Sequence, residues 1–476
     1  MNGEDTELEV PRSSRTNRRG VSTTSRAWIN LIGVKARLAL VVVVLVAASP
    51  ASGRVPPPLI TFVPEPVLAA MAGERVRVAV SPDGRHVYFL GGLDYRTGIA
   101  IVTRDAATGA LSQAPGPEGC LQAWIAKTNC RKGPAFNNSK AMAVAPDGRD
   151  VAVGGYAVSQ VALYGPTPRG GLALRSCVGE SAGATCGTVR GMGRTADLAF
   201  SPDGRYLYVA IGLVSSGGGI LVLQRQAATG TLQQLDGADG CLQRTGILFP
   251  AAPPCGSVPA TGFQPAYLRI SPDGSTVLVA SLSTFNQGFF VFARDQLTGV
   301  LTLRTCYTDA PMPPCTAPPG PAGAGTADLA GGISNLAFTP DGRTVVAVGQ
   351  FWGTNHHGVY AGIYLFHLDP ATGALTLAAC YEAQTSGCNA LVPVPSAAAS
   401  VAISFDGRTV YVGGGSLRAY SLSTTGLTAI GDCVGRGKGC TPIPLKWFSD
   451  IFSLALSPDG RWLYGAGNYG LAFRVG

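Results

Sequence analysis

The chain has 476 residues, of which 46% are hydrophobic and only 13% charged, with a formal net charge of +8. Its 64 glycines and 34 prolines are about a fifth of the residues, against roughly 12% in an average protein. Apolar runs recur throughout, which excludes a disordered chain, and the basic residues are dispersed, which excludes a nucleic-acid surface built from clustered Lys and Arg.

The first segment, 1–53, differs from the rest. Arg12, Arg15, Arg18, Arg19, Arg26, Lys35 and Arg37 lead into an apolar run of 11 residues at 38–48, followed by small residues around Ala51. This is the order of an export signal: positive region, apolar core, cleavage site. A spanning helix needs about 20 apolar residues, so membrane attachment would come only through an uncleaved N-terminal anchor. The segment carries seven basic and four acidic residues, leaving +5 for the remainder at 54–476.

From residue 78 a phrase begins to repeat. The turn Ser81-Pro82-Asp83-Gly84 returns around Asp147, Asp203, Asp273, Asp341, Asp406 and Asp459, at steps of 64, 56, 70, 68, 65 and 53 residues. Proline pre-sets φ at the first central position, Asp bonds to backbone ahead of it, and Gly accepts a positive φ. Apolar, β-branched runs flank each turn, which is a hairpin pattern. A second phrase follows about 20 residues later, as in "ILVLQRQAATGTLQQL" (220–235) and "FFVFARDQLTGVLTLRT" (289–305). Each unit therefore holds four short antiparallel strands and no segment of helical period.

Four strands repeated seven times predict an all-β, seven-bladed β-propeller over 54–476. The last repeat ends after its third strand, and a spare strand stands before the first at "LITFVPEP" (59–66). Pairing the two closes the ring.

The 12 cysteines fall into six close pairs: Cys120 with Cys130, Cys177 with Cys186, Cys241 with Cys255, Cys306 with Cys315, Cys380 with Cys388, and Cys433 with Cys440. Each pair lies where one blade's fourth strand leads to the next blade's first. An even count, one pair per equivalent connection and an export signal upstream read as local disulfides. Zinc is disfavoured, because no pair has C-x-x-C spacing and the chain has only four His; no metal and no cofactor are expected. The clasped loops would share one face with the loops between second and third strands, making a rigid platform outside the cell.

Candidate chemistry sits four places before each turn, near the top of the innermost strand. The series reads Arg77, Ala141, Asp197, Tyr267, Asn335, Ser400, Ser453. Two places before the turn stands Ala in every copy except the fourth, which has Arg269. Arg77, Asp197, Tyr267, Arg269 and Asn335 are thus expected to converge in a polar funnel, where guanidinium groups beside a carboxylate can hold a carboxylate ligand or polarise an ester. His356 and His357, in the long loop "GQFWGTNHHGVYAG" (349–362), are further ligand-binding candidates on the same face. His86 and His367 fall on strands and read as packing or surface residues. Gly179-Glu180-Ser181-Ala182-Gly183 matches a hydrolase string but lies in a loop with no helix following, and is set aside.

The phrases "SPDGRYLYVA" (201–210), "FARDQLTGVLTL" (292–303) and "YVGGG" (411–415) resemble those of the YVTN-type, lactonase-like seven-bladed propellers, over about 59–476. The resemblance implies the fold; it includes 6-phosphogluconolactonase-like proteins, muconate lactonizing enzymes and members without an assigned reaction. Lactone chemistry in the family implies His, Arg and Glu in the channel. Here no His stands on an innermost strand and no Glu in the funnel series, so no catalytic residue carries over. The expectation is an extracytoplasmic, disulfide-stabilised propeller whose clasped face binds a small molecule, glycan or protein; the alternative is a hydrolase of a lactone or related ester.

Overall fold

A computed structural model describes residues 60–62 and 77–475, apart from short segments at 93–96, 124–128, 182–184, 213–217, 246–253, 260–261, 283–286, 310, 312, 321–331, 353–358, 383–387, 389–392, 438 and 444–449. The described residues form seven β-sheets and no α-helix. Each sheet is one blade. The innermost strands, blades 1 to 7, are Arg77–Val80, Ala141–Val144, Thr195–Phe200, Pro265–Ile270, Ile333–Phe338, Ser400–Ile403 and Ser453–Leu456.

Alternation along the strands gives every blade two apolar faces, and a sheet with two such faces is covered only by another sheet on each side. Seven apolar clusters result, one at each seam between neighbours. At the seam between blades 7 and 1, Phe89, Val87 and Val102 pack on Trp462, Tyr464 and Ala472. In blade 7 the strand Ile60–Phe62 pairs antiparallel with Gly470–Arg474, Ile60 opposite Phe473.

The repeated turn is a hydrogen-bonded device at the lower end of each innermost strand. Its Gly has φ between 68° and 76° in all seven copies, a region open to Gly without strain. In six copies the Ser or Thr hydroxyl donates to the turn Asp at 2.5–2.6 Å. The following residue's N–H also donates to that Asp, at 3.0–3.1 Å.

Three of the seven turn Asp residues, Asp147, Asp203 and Asp459, also anchor the neighbouring blade, a regularity the sequence reading did not pick out. Arg294, at the lower end of blade 4's third strand, donates to Asp203 and to Tyr208 Oη of blade 3 at 3.2 and 2.7 Å, and to its own turn's Gly274 carbonyl at 3.0 Å. Arg104 of blade 1 repeats this on Asp459 and Tyr464 of blade 7, at 2.5 and 2.8 Å. Arg225 of blade 3 meets Asp147 of blade 2, and the buried Asp150 takes the tyrosine's role at 2.7 Å, because Ala152 stands where the others have Tyr. The three arginines are 4–5% exposed, so each guanidinium relies on these partners. Blades 5, 6 and 7 have Leu368, Leu422 and Val475 at the same place, and their amides make the matching bond to Arg343, Arg408 and Arg461 carbonyls. Those seams are apolar there.

All six expected cysteine pairs are bonded. Cys120 joins Cys130, Cys177 joins Cys186, Cys241 joins Cys255, Cys306 joins Cys315, Cys380 joins Cys388, and Cys433 joins Cys440, with Cα atoms 4.4–5.0 Å apart. Three blades hold more than the expected four strands. Directly after the bonded cysteines the returning chain pairs in parallel with the fourth strand: Leu121 with Arg131, Val178 with Gly187, and Leu242 with Gly256. Single bridges do the same between Tyr307 and Thr316 and between Val434 and Thr441. A disulfide sets the two segments side by side, and the extra pairing covers part of an otherwise open sheet edge.

Two outcomes follow from these contacts. A double variant, Cys177→Ser together with Cys186→Ser, should lose at most about 2–3 kcal/mol on the chain-entropy model for a loop of this size. Hydrogen exchange should then accelerate at Val189, whose N–H donates to Gly179, while Val209 and Leu221 in the seam stay protected. Burial pushes the Asp203 carboxyl up, but bonds from the Ser201 hydroxyl, the Arg205 amide and Arg294 outweigh it and bring it down to about 2 from 3.8. A depressed carboxyl stabilises above its unfolded value, and that contribution disappears as pH falls through the folded value. In thermal melts, Asp203→Asn should cost stability at pH 6 and cost progressively less from pH 4 towards pH 2; a constant gap between the two proteins would refute the role.

Candidate functional site

The residues four places before each turn stand near the upper ends of the innermost strands, and five of the seven, Ala141, Asp197, Asn335, Ser400 and Ser453, are buried. Register fixes them at one level: Arg77 lies opposite Leu90, Ala141 opposite Gly154, Asp197 opposite Ala210, Tyr267 opposite Ala280, Asn335 opposite Val348, Ser400 opposite Gly413 and Ser453 opposite Ala466. In blades 3, 4 and 5 the register shifts just before this level, between Thr195 and Asp197, Pro265 and Tyr267, Ile333 and Asn335. An extra residue in one strand re-aims the side chain that follows it. The three blades with this irregularity carry Asp, Tyr and Asn at the mouth.

An innermost strand has no sheet partner on its channel side, so its backbone groups there need other bonds. Neighbouring blades supply them. Asp197 Oδ2 accepts the Leu268 N–H of blade 4 at 3.0 Å, and Ser453 Oγ accepts the Val78 N–H of blade 1 at 3.2 Å. Ser400 Oγ donates to the Ile451 carbonyl of blade 7 at 2.9 Å, and Arg77 Nε to the Lys140 carbonyl, beside blade 2's first strand, at 2.9 Å. The polar series is therefore first a set of ties from each blade to the next.

Arg269 extends this role across three blades. Its guanidinium donates to Asp197 Oδ2 at 2.7 Å, to Asn335 Oδ1 at 2.7 Å, and to the carbonyls of Leu268 and Leu336 at 2.7 and 3.0 Å. The Asp197 side chain is 5% exposed and that of Arg269 29%. Both bonds to the carboxylate fall on Oδ2, one from the guanidinium and one from an amide.

The remaining expected residues behave differently. Arg77 of blade 1 reaches across the mouth to blade 4, its Cζ 5.5 Å from the centre of the Tyr267 ring. Arg77 bonds the carbonyl of Lys140, one of three residues that sequence reasoning missed. Lys140 Nζ sits 4.0 Å from the Tyr156 ring centre, and Arg194 Cζ sits 5.3 Å from the same ring. Lys140 directly precedes blade 2's first strand, Arg194 precedes blade 3's, and Tyr156 follows blade 2's second. Their signal was available: all three flank the aligned level by a residue or a few. His356 and His357 lie outside the described residues. His86, on the second strand of blade 1, stacks beside Tyr88 away from the mouth, and His367 pairs across strands with Thr344.

No family model matches the chain, and no curated protein matches it by sequence. Among solved structures, a candidate 6-phosphogluconolactonase from Bacteroides fragilis superposes with a TM-score of 0.52 at 13% identity, over 76% of this chain and 84% of that one. The hydrazine synthase of Kuenenia stuttgartiensis gives 0.52 at 15% identity, over 85% and 96%. A candidate 6-phosphogluconolactonase from Bacteroides uniformis gives 0.50 at 17% identity, over 74% and 83%. The chain shares the β-propeller fold with these structures and has seven blades. At these identities the likeness concerns the ring and its blades alone.

If Asp197 is a tie rather than a catalyst, removing it should show in stability. Asp197→Ala leaves the Leu268 N–H unpaired and takes the carboxylate from Arg269, which should cost about 3 kcal/mol. Chemical denaturation measures this directly. A loss below about 0.5 kcal/mol, the range of ordinary surface substitutions, would contradict the structural role.

Proposed function

We propose that this chain is an exported, disulfide-stabilised propeller that binds a small molecule, glycan or protein partner on its upper face. The observation that carries the reading is the state of Asp197 and Arg269. These are the groups a funnel hydrolase would need for acid–base work and charge stabilisation, and both are engaged in holding blades 3, 4 and 5 together. What is left at the mouth is a binding surface. The clasped fourth-strand loops open on the same side, so their disulfides hold it in shape before a partner arrives, and preorganisation of this kind lowers the entropy lost on binding.

Export is supported by the same bonds. Six disulfides and no free cysteine among the described residues suit an oxidising compartment. Residues 1–53 are assigned the role of export signal or signal-anchor, and no helix among the described residues is long and apolar enough to cross a membrane. The second reading, an extracytoplasmic hydrolase of a lactone or related ester, is favoured by the fold that the chain shares with the Bacteroides proteins.

The two readings part in one pair of assays on protein secreted from an oxidising host. The binding reading expects no proton release above background from a panel of lactones, together with retention on cell-wall or polysaccharide resin that is lost after reduction of the disulfides. Turnover that vanishes in Asp197→Asn and persists in Arg149→Ala, a change on the opposite face, would replace it with the hydrolase.

A further inference from the structure

We propose that Arg77 is a bar across the upper end of the channel, and that an oxyanion releases it by taking its guanidinium. The inference deepens the binding reading, whose face it regulates, and rests on it only for the source of the anion.

The bar follows from where its two ends stand. Of the seven residues four places before a turn, Arg77 and Tyr267 are the two that are partly exposed. Arg77 belongs to blade 1 and Tyr267 to blade 4, with two blades between them on one side of the ring and three on the other. A contact between them, 5.5 Å from Cζ to the ring centre, therefore crosses the channel instead of following its wall. Two places before the turn, and so below the bar, Ala79, Ala143, Ala199, Ala337, Ala402 and Ala455 are partly exposed. Each lies in an innermost strand that its own sheet and the neighbouring blades cover on the other sides. Their open surface faces the channel, which leaves a space for the bar to close off.

What holds the bar is weak. The buried Arg104, Arg225 and Arg294 and the partly exposed Arg269 each bond a carboxylate at 3.2 Å or less. Arg77 has one hydrogen bond, from Nε to the Lys140 carbonyl at 2.9 Å, and the face of Tyr267. Its two Nη groups carry four N–H donors that have no partner among the described residues, and solvent reaches them. A cation over a ring at a solvent-exposed site represents only about a two- to fivefold preference. A bidentate, charge-assisted pair from Nη1 and Nη2 to one oxyanion is stronger. With the guanidinium against Tyr267, blade 4 occupies one side of it; turned back to the rim, the whole Nη edge is open to a ligand. An oxyanion thus binds the second state better, and a ligand shifts an equilibrium by that difference. Carboxylate and phosphate groups both meet the requirement.

All 12 cysteines are bonded, so Ala199→Cys places a single thiol on the channel wall below the bar. N-(1-pyrenyl)maleimide, bulky and uncharged, is the label, and its rate of attachment to the secreted protein is followed by fluorescence. The anions are acetate and inorganic phosphate, at constant ionic strength with chloride as reference. Arg77→Ala should speed labelling by about two- to fivefold, the preference lost with the ring contact. Tyr267→Leu keeps every charge and should do the same. At least one anion should speed labelling saturably while Arg77 is present and change nothing in Arg77→Ala; which one acts separates a carboxylate from a phosphate source. The Thr302→Cys thiol, exposed on the outer strand of blade 4, should react equally fast under all these conditions. Ala455→Cys, on the wall of another blade, repeats the measurement should the first thiol disturb folding. No labelling even in Arg77→Ala, no difference between it and its parent, no response to either anion, or a response that survives Arg77→Ala would overturn the inference. An anion response without retention on any resin would keep the bar and remove the binding reading; retention without an anion response would do the reverse.

Discussion

Every blade of this protein is a sheet with two apolar faces, and nothing except another blade is available to cover them. That constraint makes a ring. A stack of such sheets would leave two bare ends, whereas a closed circuit leaves none, and the contact of Phe89 and Val102 with Trp462 and Tyr464 is the place where the circuit meets itself. The short strand Ile60–Phe62 adds backbone bonds to the outer edge of blade 7.

Apolar seams alone would let blades slide, since dispersion and burial are weakly directional. Polar ties at two levels remove that freedom. Below, buried arginines pin three seams to the turn of the preceding blade, each with a carboxylate and either a tyrosine hydroxyl or a second carboxylate. Above, short polar side chains reach from one innermost strand to the next. The upper polar level is thus an outgrowth of the same requirement that holds the ring together. Arg77 has contacts on two sides: its Nε is a tie to the Lys140 carbonyl, and its guanidinium lies over the Tyr267 ring.

Much of this was legible in the sequence because it is periodic. The seven turns, the paired phrases and the six cysteine couples each recur at equivalent places, so one copy explains the others. The funnel level was found by the same means, and Asp197, Arg269 and Asn335 do meet. What escaped was what breaks or crosses the period. The arginine before the second phrase, as in "TRDAATG" and "ARDQLTG", was written in the chain, but its partner lies on the preceding blade, about 90 residues upstream or, for Arg104, at the far end of the sequence. Lys140, Tyr156 and Arg194 stand off the aligned level, and their meeting depends on how blades 2 and 3 abut. Parallel pairing after the cysteines needs only two or three residues and has no pattern of its own.

That parallel pairing has a bearing on where the protein can be made. A blade's outer strand offers a row of backbone donors and acceptors to any passing chain, and in blades 1, 2 and 3 the row is occupied by a stretch kept in place by sulfur. Synthesis under reducing conditions would leave the circuit of seams intact and free those perimeter segments. The resulting molecules would be folded at heart and adhesive at the rim, so their failure would be self-association rather than denaturation.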